Sequence, residues 1–281
     1  MGDASISPID IDSDNWLARF DRSIQPILDG CDVDAVLAEN YQYREMYLDQ
    51  IFSLIDKCAL FEKANKWARR QKFWLRHGTR LHQDEFQNVV SYGLIPLKEQ
   101  SRFSGLARIV EEVSDASQKK LNLARLDDSI KKHADRDRGA IYFSLSGKFL
   151  LLRPASHYLY YGSEFGLVVL GESIGSAGKS KFREMTLPTI VSYIFRGSQL
   201  TSKKSIDEIE ETLNNGNSPE FENLLLNIWL LWKLGYGPDD DRWEFEYCYI
   251  HRGSLPGSGV PDNVRIVDSR EIEPPDVLLG R

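Results

Sequence analysis

Apolar residues recur every three or four positions through the first seventy residues, which is the spacing of one face of an α-helix. One such stripe begins at Trp16 and is interrupted at Gly30. A second stripe follows at 36–55 and a third at 60–68. The pattern predicts a helical N-terminal region over residues 1–70.

The pattern changes at Phe73, where short apolar runs bounded by Gly and Pro begin to alternate with longer amphipathic segments. The short runs predict strands at Phe73–Leu75, Ala140–Leu145, Leu167–Leu170, Ile190–Phe195, Tyr247–Ile250 and Val264–Val267. The amphipathic segments predict helices at Glu85–Tyr92, Leu106–His133, Ile206–Leu213 and Phe221–Leu234. Irregularly spaced strands without a repeated βαβ unit favour an α+β domain with a mainly antiparallel sheet, and we place this domain at residues 71–281.

Composition narrows the class of protein. Of the 281 residues, 42% are hydrophobic and 27% are charged, as in ordinary globular proteins, and a net charge of −7 argues against a uniformly basic nucleic-acid binder. Cys31, Cys58 and Cys248 are too few and too scattered for a disulfide framework or a metal site, so we expect no metal. Residues 1–14 lack a signal-peptide pattern, and the apolar stretch 224–234 is too short to span a bilayer. We therefore expect a cytoplasmic protein without a membrane partner.

Four segments carry candidate chemistry. The first is Trp74-Leu-Arg-His-Gly-Thr79, a predicted strand in which a Gly follows a polar residue, an arrangement that lets a ligand reach the backbone N–H and C=O groups. The second is Gly139-Ala-Ile-Tyr-Phe-Ser144, which leads into Arg153-Pro-Ala-Ser-His-Tyr158. The third is Gly166-Leu-Val-Val-Leu-Gly-Glu172. The fourth is Trp243-Glu-Phe-Glu-Tyr-Cys-Tyr-Ile250, which contains two carboxylates.

In this order the segments resemble the catalytic domain of the poly(ADP-ribose) polymerase-like ADP-ribosyltransferases, the His-Tyr-Glu branch of that superfamily, over residues 73–270. The resemblance implies a split antiparallel sheet with helical insertions, and it implies that NAD is the substrate. The enzyme would transfer ADP-ribose to a macromolecular acceptor, a protein or a nucleic acid, and release nicotinamide. Single transfer is favoured over chain elongation because long insertions at 97–138 and 201–240 would remodel the acceptor side.

The resemblance also assigns roles to single residues. His77 would bond a ribose hydroxyl of NAD, the Gly78 backbone would pair with the nicotinamide amide, and Thr79 and Tyr142 would belong to the same nucleotide-binding set. Tyr158 would stack on the nicotinamide ring, because an aromatic face attracts a flat, electron-poor pyridinium. Tyr160 and Tyr161 are alternatives for this stacking role.

Glu246 is the predicted catalytic acid, whose carboxylate would stabilise the positive charge that develops on the ribose as nicotinamide leaves. Glu244 lies two residues earlier and shares a strand face with it, so it is an alternative. The Glu-x-Glu pair is also similar to the toxin-like Arg-Ser-Glu branch, in which Arg76 would replace His77. A competing alignment puts Val264 at the acid position.

Two other functions remain open. An NAD-dependent RNA 2′-phosphotransferase would need several basic cleft residues, for which Arg76 and Arg80 are candidates. A catalytically degenerate module that binds ADP-ribose or a partner protein would fit Val264 at the acid position. By analogy of fold alone, a compact transferase fits a bacterial toxin, defence protein or effector, which could be delivered into a host cell and would call for a neutralising or regulatory partner.

The insertion at 97–138 carries interleaved basic and acidic residues, which is typical of a solvated helix face. We expect it to be a helical excursion outside the sheet that influences the choice of acceptor more than the use of NAD.

Overall fold

The structure, a computed structural model, describes residues 7–94, 99–133, 139–162, 164–201, 208, 211 and 220–275. They form two compact units. The first unit holds the described residues of 1–74 and 194–247, and the second holds those of 75–193 and 248–281. This division differs from the predicted boundary at residue 70, because the first unit also takes in a segment from the second half of the chain.

Helices and strands alternate irregularly along the chain, as expected for an α+β protein. The helices are α1 (Leu17–Leu28), α2 (Val33–Ala38), α3 (Arg44–Leu54), α4 (Lys57–Ala68), α5 (Gln83–Tyr92), α6 (Glu99–Val113), α7 (Lys119–Lys132), α8 (His157–Tyr161), α9 (Glu164–Met185), α10 (Gly197–Leu200) and α11 (Glu220–Lys233). The strands are β1 (Lys72–Leu81), β2 (Ala140–Ser144), β3 (Leu187–Arg196), β4 (Cys248–Arg252) and β5 (Asn263–Ile266). Short 3₁₀ helices lie at Phe149–Leu151 and Ser269–Glu271.

The first unit is built around α1, α4 and α11, which pack on one another. The ring of Trp67 lies 5.7 Å from that of Trp16 and 4.8 Å from that of Phe20. The indole N–H of Trp229, on α11, donates to the carboxylate of Asp21 at 2.8 Å. The predicted N-terminal stripe is therefore buried partly against a helix from the second half of the chain, which explains the shifted boundary. Within the described ranges, no helix combines the length and the apolar character needed to cross a bilayer.

The second unit contains most of a five-stranded sheet in the order β4-β2-β1-β3-β5. β1 runs antiparallel to β2, β2 to β4, and β3 to β5. The α+β class predicted from the sequence is confirmed. Five of the six predicted strands are present within a few residues of their expected positions.

The remaining predicted strand, Leu167–Leu170, is wrong because these residues lie inside α9. The run of apolar and β-branched residues favours a strand locally, but Phe165, Val169 and Leu170 are buried at helical spacing in an apolar core that α9 shares with α6 and α7. Packing against two neighbouring helices outweighs the local preference. The third of the four segments is therefore helical, and Gly175 interrupts that helix with φ 65°.

The insertion at 97–138 is helical in its described part and lies outside the sheet there, as predicted. Its described part forms α6 and α7, which are separated by a turn and supply about half of the same apolar core; its buried members are Leu106, Ile109, Val110, Leu126, Ile130, Phe165, Val169, Leu170 and Phe182. Residues 134–138 lie outside the described residues, as does the helix predicted at 206–213 apart from residues 208 and 211. The insertion is therefore part of the core of the second unit.

One tyrosine hydroxyl joins two loops of the second unit. The backbone N–H of Leu94 donates to the Tyr193 hydroxyl at 2.9 Å, and that hydroxyl donates to the carbonyl of Gly259 at 3.0 Å. Gly93 ends α5, as the sequence predicts, with a positive φ of 83° and its N–H bonded to Val89. A side chain at Gly93 would overlap the Gly259 carbonyl, so the two loops approach each other at a point where only glycine fits.

The Glu172 carboxylate ties α9 to the end of α7. It accepts hydrogen bonds from Lys132 at 2.8 Å, from the hydroxyl of Ser129 and from His133 at 3.2 Å. Hydrogen bonds from Lys132, then Ser129 and His133, lower the pKa of Glu172 from its ordinary value of 4.5 to about 2.

Because this pKa is lower in the folded state than in the unfolded chain, the contribution of Glu172 to stability is complete above pH 4.5 and is lost as the pH falls toward about 2. We expect Glu172→Gln to reduce stability at pH 7 and to flatten the loss of stability on acidification. Urea denaturation at a series of pH values measures both effects. Glu111→Gln, which removes an exposed carboxylate 3.6 Å from Lys119, is the control. It should leave the slope of stability against pH unchanged. Equal slopes in wild type and Glu172→Gln would contradict the assignment.

Candidate active site

Two of the predicted segments meet at Gly78. A Cβ atom at this position would lie 3.2 Å from Cβ of Tyr158 and 3.4 Å from the side chain of Leu150, so the glycine permits α8 to approach β1 closely. The Tyr158 segment, distant in sequence, thus lies directly over the His-Gly-Thr strand. The space above its Cα is therefore filled by the side chains of Tyr158 and Leu150.

Neighbouring residues of β1 point to opposite faces of the sheet, as the sequence predicts. Arg76 lies on the face of Gly78, which we call the Tyr158 face. His77 lies on the other face, the Phe143 face, where its ring is 6.0 Å from that of Phe143. His77 and Tyr158, predicted to hold the same nucleotide, therefore belong to opposite faces.

His77 is fixed by a hydrogen bond between its Nδ1 and the backbone carbonyl of Tyr142, at 2.8 Å. A carbonyl only accepts, so Nδ1 carries the proton, and in the neutral ring Nε2 is an acceptor. Burial lowers the pKa of His77, against the opposing effect of this hydrogen bond. The imidazole is thus neutral at pH 7, with a lone pair that suits a hydroxyl donor.

The Tyr158 face carries a row of paired residues across three strands. Arg76 is opposite Ser144, and Ser144 is opposite Cys248, and directly opposed side chains of antiparallel strands share a face. The Arg76 guanidinium donates to the carbonyl of Leu145 at 2.8 Å, and the Cys248 side chain is exposed. Ser144 is buried and its hydroxyl donates to the carbonyl of Ser146 at 2.8 Å, so this row offers a cation and an exposed thiol.

The remaining nucleotide candidates are distributed over both faces. Tyr142 is half-buried and belongs to the Tyr158 face by alternation, whereas half-buried Thr79 belongs to the Phe143 face. Tyr158 is half-buried, and its ring lies 4.0 Å from that of His157. Its alternative Tyr161 is 3% exposed, which leaves no face free for stacking.

The candidate acids belong to the first unit. Glu244 and Glu246 are exposed, whereas their neighbours Trp243 and Phe245 are buried, so the two carboxylates share one side of an extended segment as predicted. The strand that follows begins at Cys248, one residue later than expected, so Glu246 precedes it.

The alternative acid position, Val264, lies on β5 opposite Val191 of β3. β1 and β3 separate this strand from β2, which carries Tyr142. β4, the strand that follows Glu246, instead pairs with β2 along its whole length.

Arg80 has a structural role that the sequence does not reveal. It is 8% exposed, and its guanidinium donates to the hydroxyl of Thr186 and to the carbonyls of Leu159, Arg183 and Thr186 at 2.5 to 2.9 Å. Burial, together with the like charge of Arg183, lowers the pKa of Arg80 to about 10. Its donors are directed at protein groups, so Arg80 does not serve the RNA 2′-phosphate that a phosphotransferase would bind. No sequence signal indicates this role, because β1 carries several other polar residues.

Replacement of Arg80 by Met should destabilise the fold by about 3 kcal/mol, because buried carbonyls of Leu159, Arg183 and Thr186 lose their donor. Urea denaturation measures this loss. The control is Arg270→Gln, which removes an exposed guanidinium paired with Asp268 and should cause no measurable change in stability. An unchanged unfolding midpoint in Arg80→Met would show that the carbonyls find other donors.

Comparison with known proteins identifies no relative: family models, curated proteins and solved structures give no match to this chain. Among the described residues, no three His, Cys, Asp or Glu side chains are grouped so that they could hold a metal ion. The arrangement of β1, β2 and α8 is therefore the basis for assigning a function.

Proposed function

We propose that the chain is an NAD-dependent mono-ADP-ribosyltransferase with the split sheet of that superfamily. The observation that carries this proposal is the position of Tyr158 over Gly78, which brings together the strand and the tyrosine helix that the resemblance assigns to the two sides of nicotinamide. These segments are far apart in the sequence, and nothing in their local composition requires them to meet.

The pairing of β1 with β2 supports a split in the sheet. The two strands share a single residue pair in register, Arg76 with Ser144, whereas β2 and β4 share five. Beyond that pair the His77 side chain bonds the Tyr142 carbonyl. A side chain that bridges the two backbones in this position is consistent with strands that diverge beyond Arg76.

The arrangement of faces favours Arg76 over His77 as the residue that contacts NAD. Arg76 shares its face with Gly78, Tyr142 and the Tyr158 helix, and a guanidinium suits the charged groups of a dinucleotide. His77 then acts as a positioning residue, because its hydrogen bond to Tyr142 fixes β1 against β2. This assignment corresponds to the toxin-like Arg-Ser-Glu branch, to which Arg76 and the Glu-x-Glu pair are similar.

In the proposed reaction the bond between C1 of the nicotinamide ribose and the ring nitrogen breaks, and nicotinamide leaves with the bonding electron pair. The Glu246 carboxylate stabilises the cationic ribose, a protein or nucleic-acid nucleophile forms the new bond to C1, and its proton passes to solvent. Glu246 belongs to the first unit, so its assignment as the acid, in preference to Val264, rests on the resemblance alone.

Glu246→Gln should lower the rate of nicotinamide release by about a hundredfold or more while leaving NAD affinity within a few-fold, because the lost charge matters only as the glycosidic bond breaks. Nicotinamide release from NAD measures turnover, and calorimetry measures affinity. Glu244→Gln is the matched control. Loss of activity in Glu244→Gln alone would move the acid by two residues. Wild-type protein that binds ADP-ribose but never cleaves NAD would indicate a binding module instead.

Arg76→Ala should weaken NAD binding by about tenfold or more, through loss of a charge-assisted contact. His77→Ala should reduce NAD affinity less and should mainly lower stability, since His77 holds backbone. Calorimetric titration with NAD and thermal unfolding of both variants separate these effects. Arg76→Lys retains the charge and should recover part of the affinity. If His77→Ala loses binding while Arg76→Ala keeps it, the His-Tyr-Glu assignment replaces this one.

A further inference from the structure

A group of cationic and aromatic residues in the second unit is not used by the proposed reaction. Its members, the arginine cluster, are Arg80, Tyr160, Tyr161 and Arg183. The Arg183 guanidinium lies 5.5 Å from the centre of the Tyr160 ring, and the backbone carbonyl of Arg183 accepts from Arg80. The cluster therefore places two cations side by side next to two phenol rings.

The charge of this cluster is not balanced within the described part of the chain. Neither arginine forms an ion pair with a described carboxylate, and Glu184, the neighbour of Arg183, pairs with Lys181 instead. Arg80 is compensated by the carbonyls at the ends of α8 and α9. The Arg183 guanidinium lies beside the Tyr160 ring, and its Nε is buried without a hydrogen-bond acceptor among the described residues.

A buried donor without an acceptor costs free energy, and so does a cation beside a like charge in a region of low dielectric constant. Arg183 is such a neighbouring cation for Arg80. Burial is the main cause of the lowered pKa of Arg80, and the charge of Arg183 lowers it further. An anion with several acceptor oxygens against Arg183 would offset the second cost and accept from the other N–H groups of the guanidinium. A phosphate group has that charge and geometry, and guanidinium binds it through paired hydrogen bonds.

We propose that Arg183, in the field of Arg80 and beside Tyr160, binds a phosphate group of a ligand. The site is defined by residues outside the proposed reaction, so it does not depend on NAD cleavage. Two sources have this chemistry: the diphosphate of NAD itself, and the phosphate of a separate ligand. Both predict the same contact with Arg183, and they differ in whether NAD competes for it.

Inorganic pyrophosphate is the probe, titrated calorimetrically into the full chain at constant ionic strength. Wild type should bind it saturably, and Arg183→Gln should weaken binding by about tenfold or more through the lost charge-assisted hydrogen bonds. Lys181→Gln is the matched control: it lies on the same helix and removes the same charge, so binding should persist. Arg183→Lys keeps the charge without the planar fork and should be intermediate, which keeps the test valid if Arg183→Gln does not fold.

Absence of saturable binding to folded wild type at millimolar pyrophosphate would overturn the site, as would equal affinities in wild type and the two Arg183 variants. Equal weakening by Lys181→Gln would reduce the effect to net charge and would also overturn it. Competition between NAD and pyrophosphate would identify the NAD diphosphate as the natural ligand. Binding without competition would assign the site to a separate phosphate. A protein that binds pyrophosphate but never cleaves NAD would refute the proposed function and leave this site standing.

Discussion

The buried guanidinium of Arg80 is the constraint on which the arrangement around β1 depends. It links the strand to the carbonyl ends of α8 and α9 and to the turn before β3. A long helix exposes unpaired carbonyls at its C-terminus, and a cation satisfies them while interacting favourably with the helix dipole. The bond from Arg80 to the Leu159 carbonyl holds α8, and with it Tyr158, close to β1. Arg80 affects the candidate site indirectly, by holding β1, α8 and α9 together.

The local sequence pattern correctly predicted those elements for which the local preference and the tertiary packing favour the same structure. The stripe that contains Trp16 and Phe20 became α1, and the helix ending at Gly93 became α5, because the apolar face and the glycine cap suit the same structure in isolation and in the fold. Residues 167–170 show the opposite case. Their β-branched run favours a strand, but the apolar surfaces of α6 and α7 bury it as a helix, and no local signal encodes those distant surfaces.

The candidate site shows a similar limit. Alternation along β1 predicted correctly that Arg76 and His77 would point to opposite faces. It could not predict which face α8 would cover, since that depends on the contact between Gly78 and Tyr158 and on the hydrogen bonds of Arg80. The sequence motif favoured His77 as the ligand-facing residue, whereas the geometry favours Arg76. The motif predicts a role for this strand, and only three-dimensional packing distinguishes its two faces.

The Tyr193 hydroxyl has a consequence for how this chain could vary. It accepts from the Leu94 backbone and donates to the Gly259 backbone, so it fixes the distance of both loops from β3. An insertion or deletion in either loop would withdraw one partner and leave a polar group of a buried tyrosine without its hydrogen bond. Exposed loops usually tolerate changes of length, but these two are coupled through one oxygen atom. We therefore expect their lengths to change together, or to remain constant, among proteins that keep a tyrosine at this position.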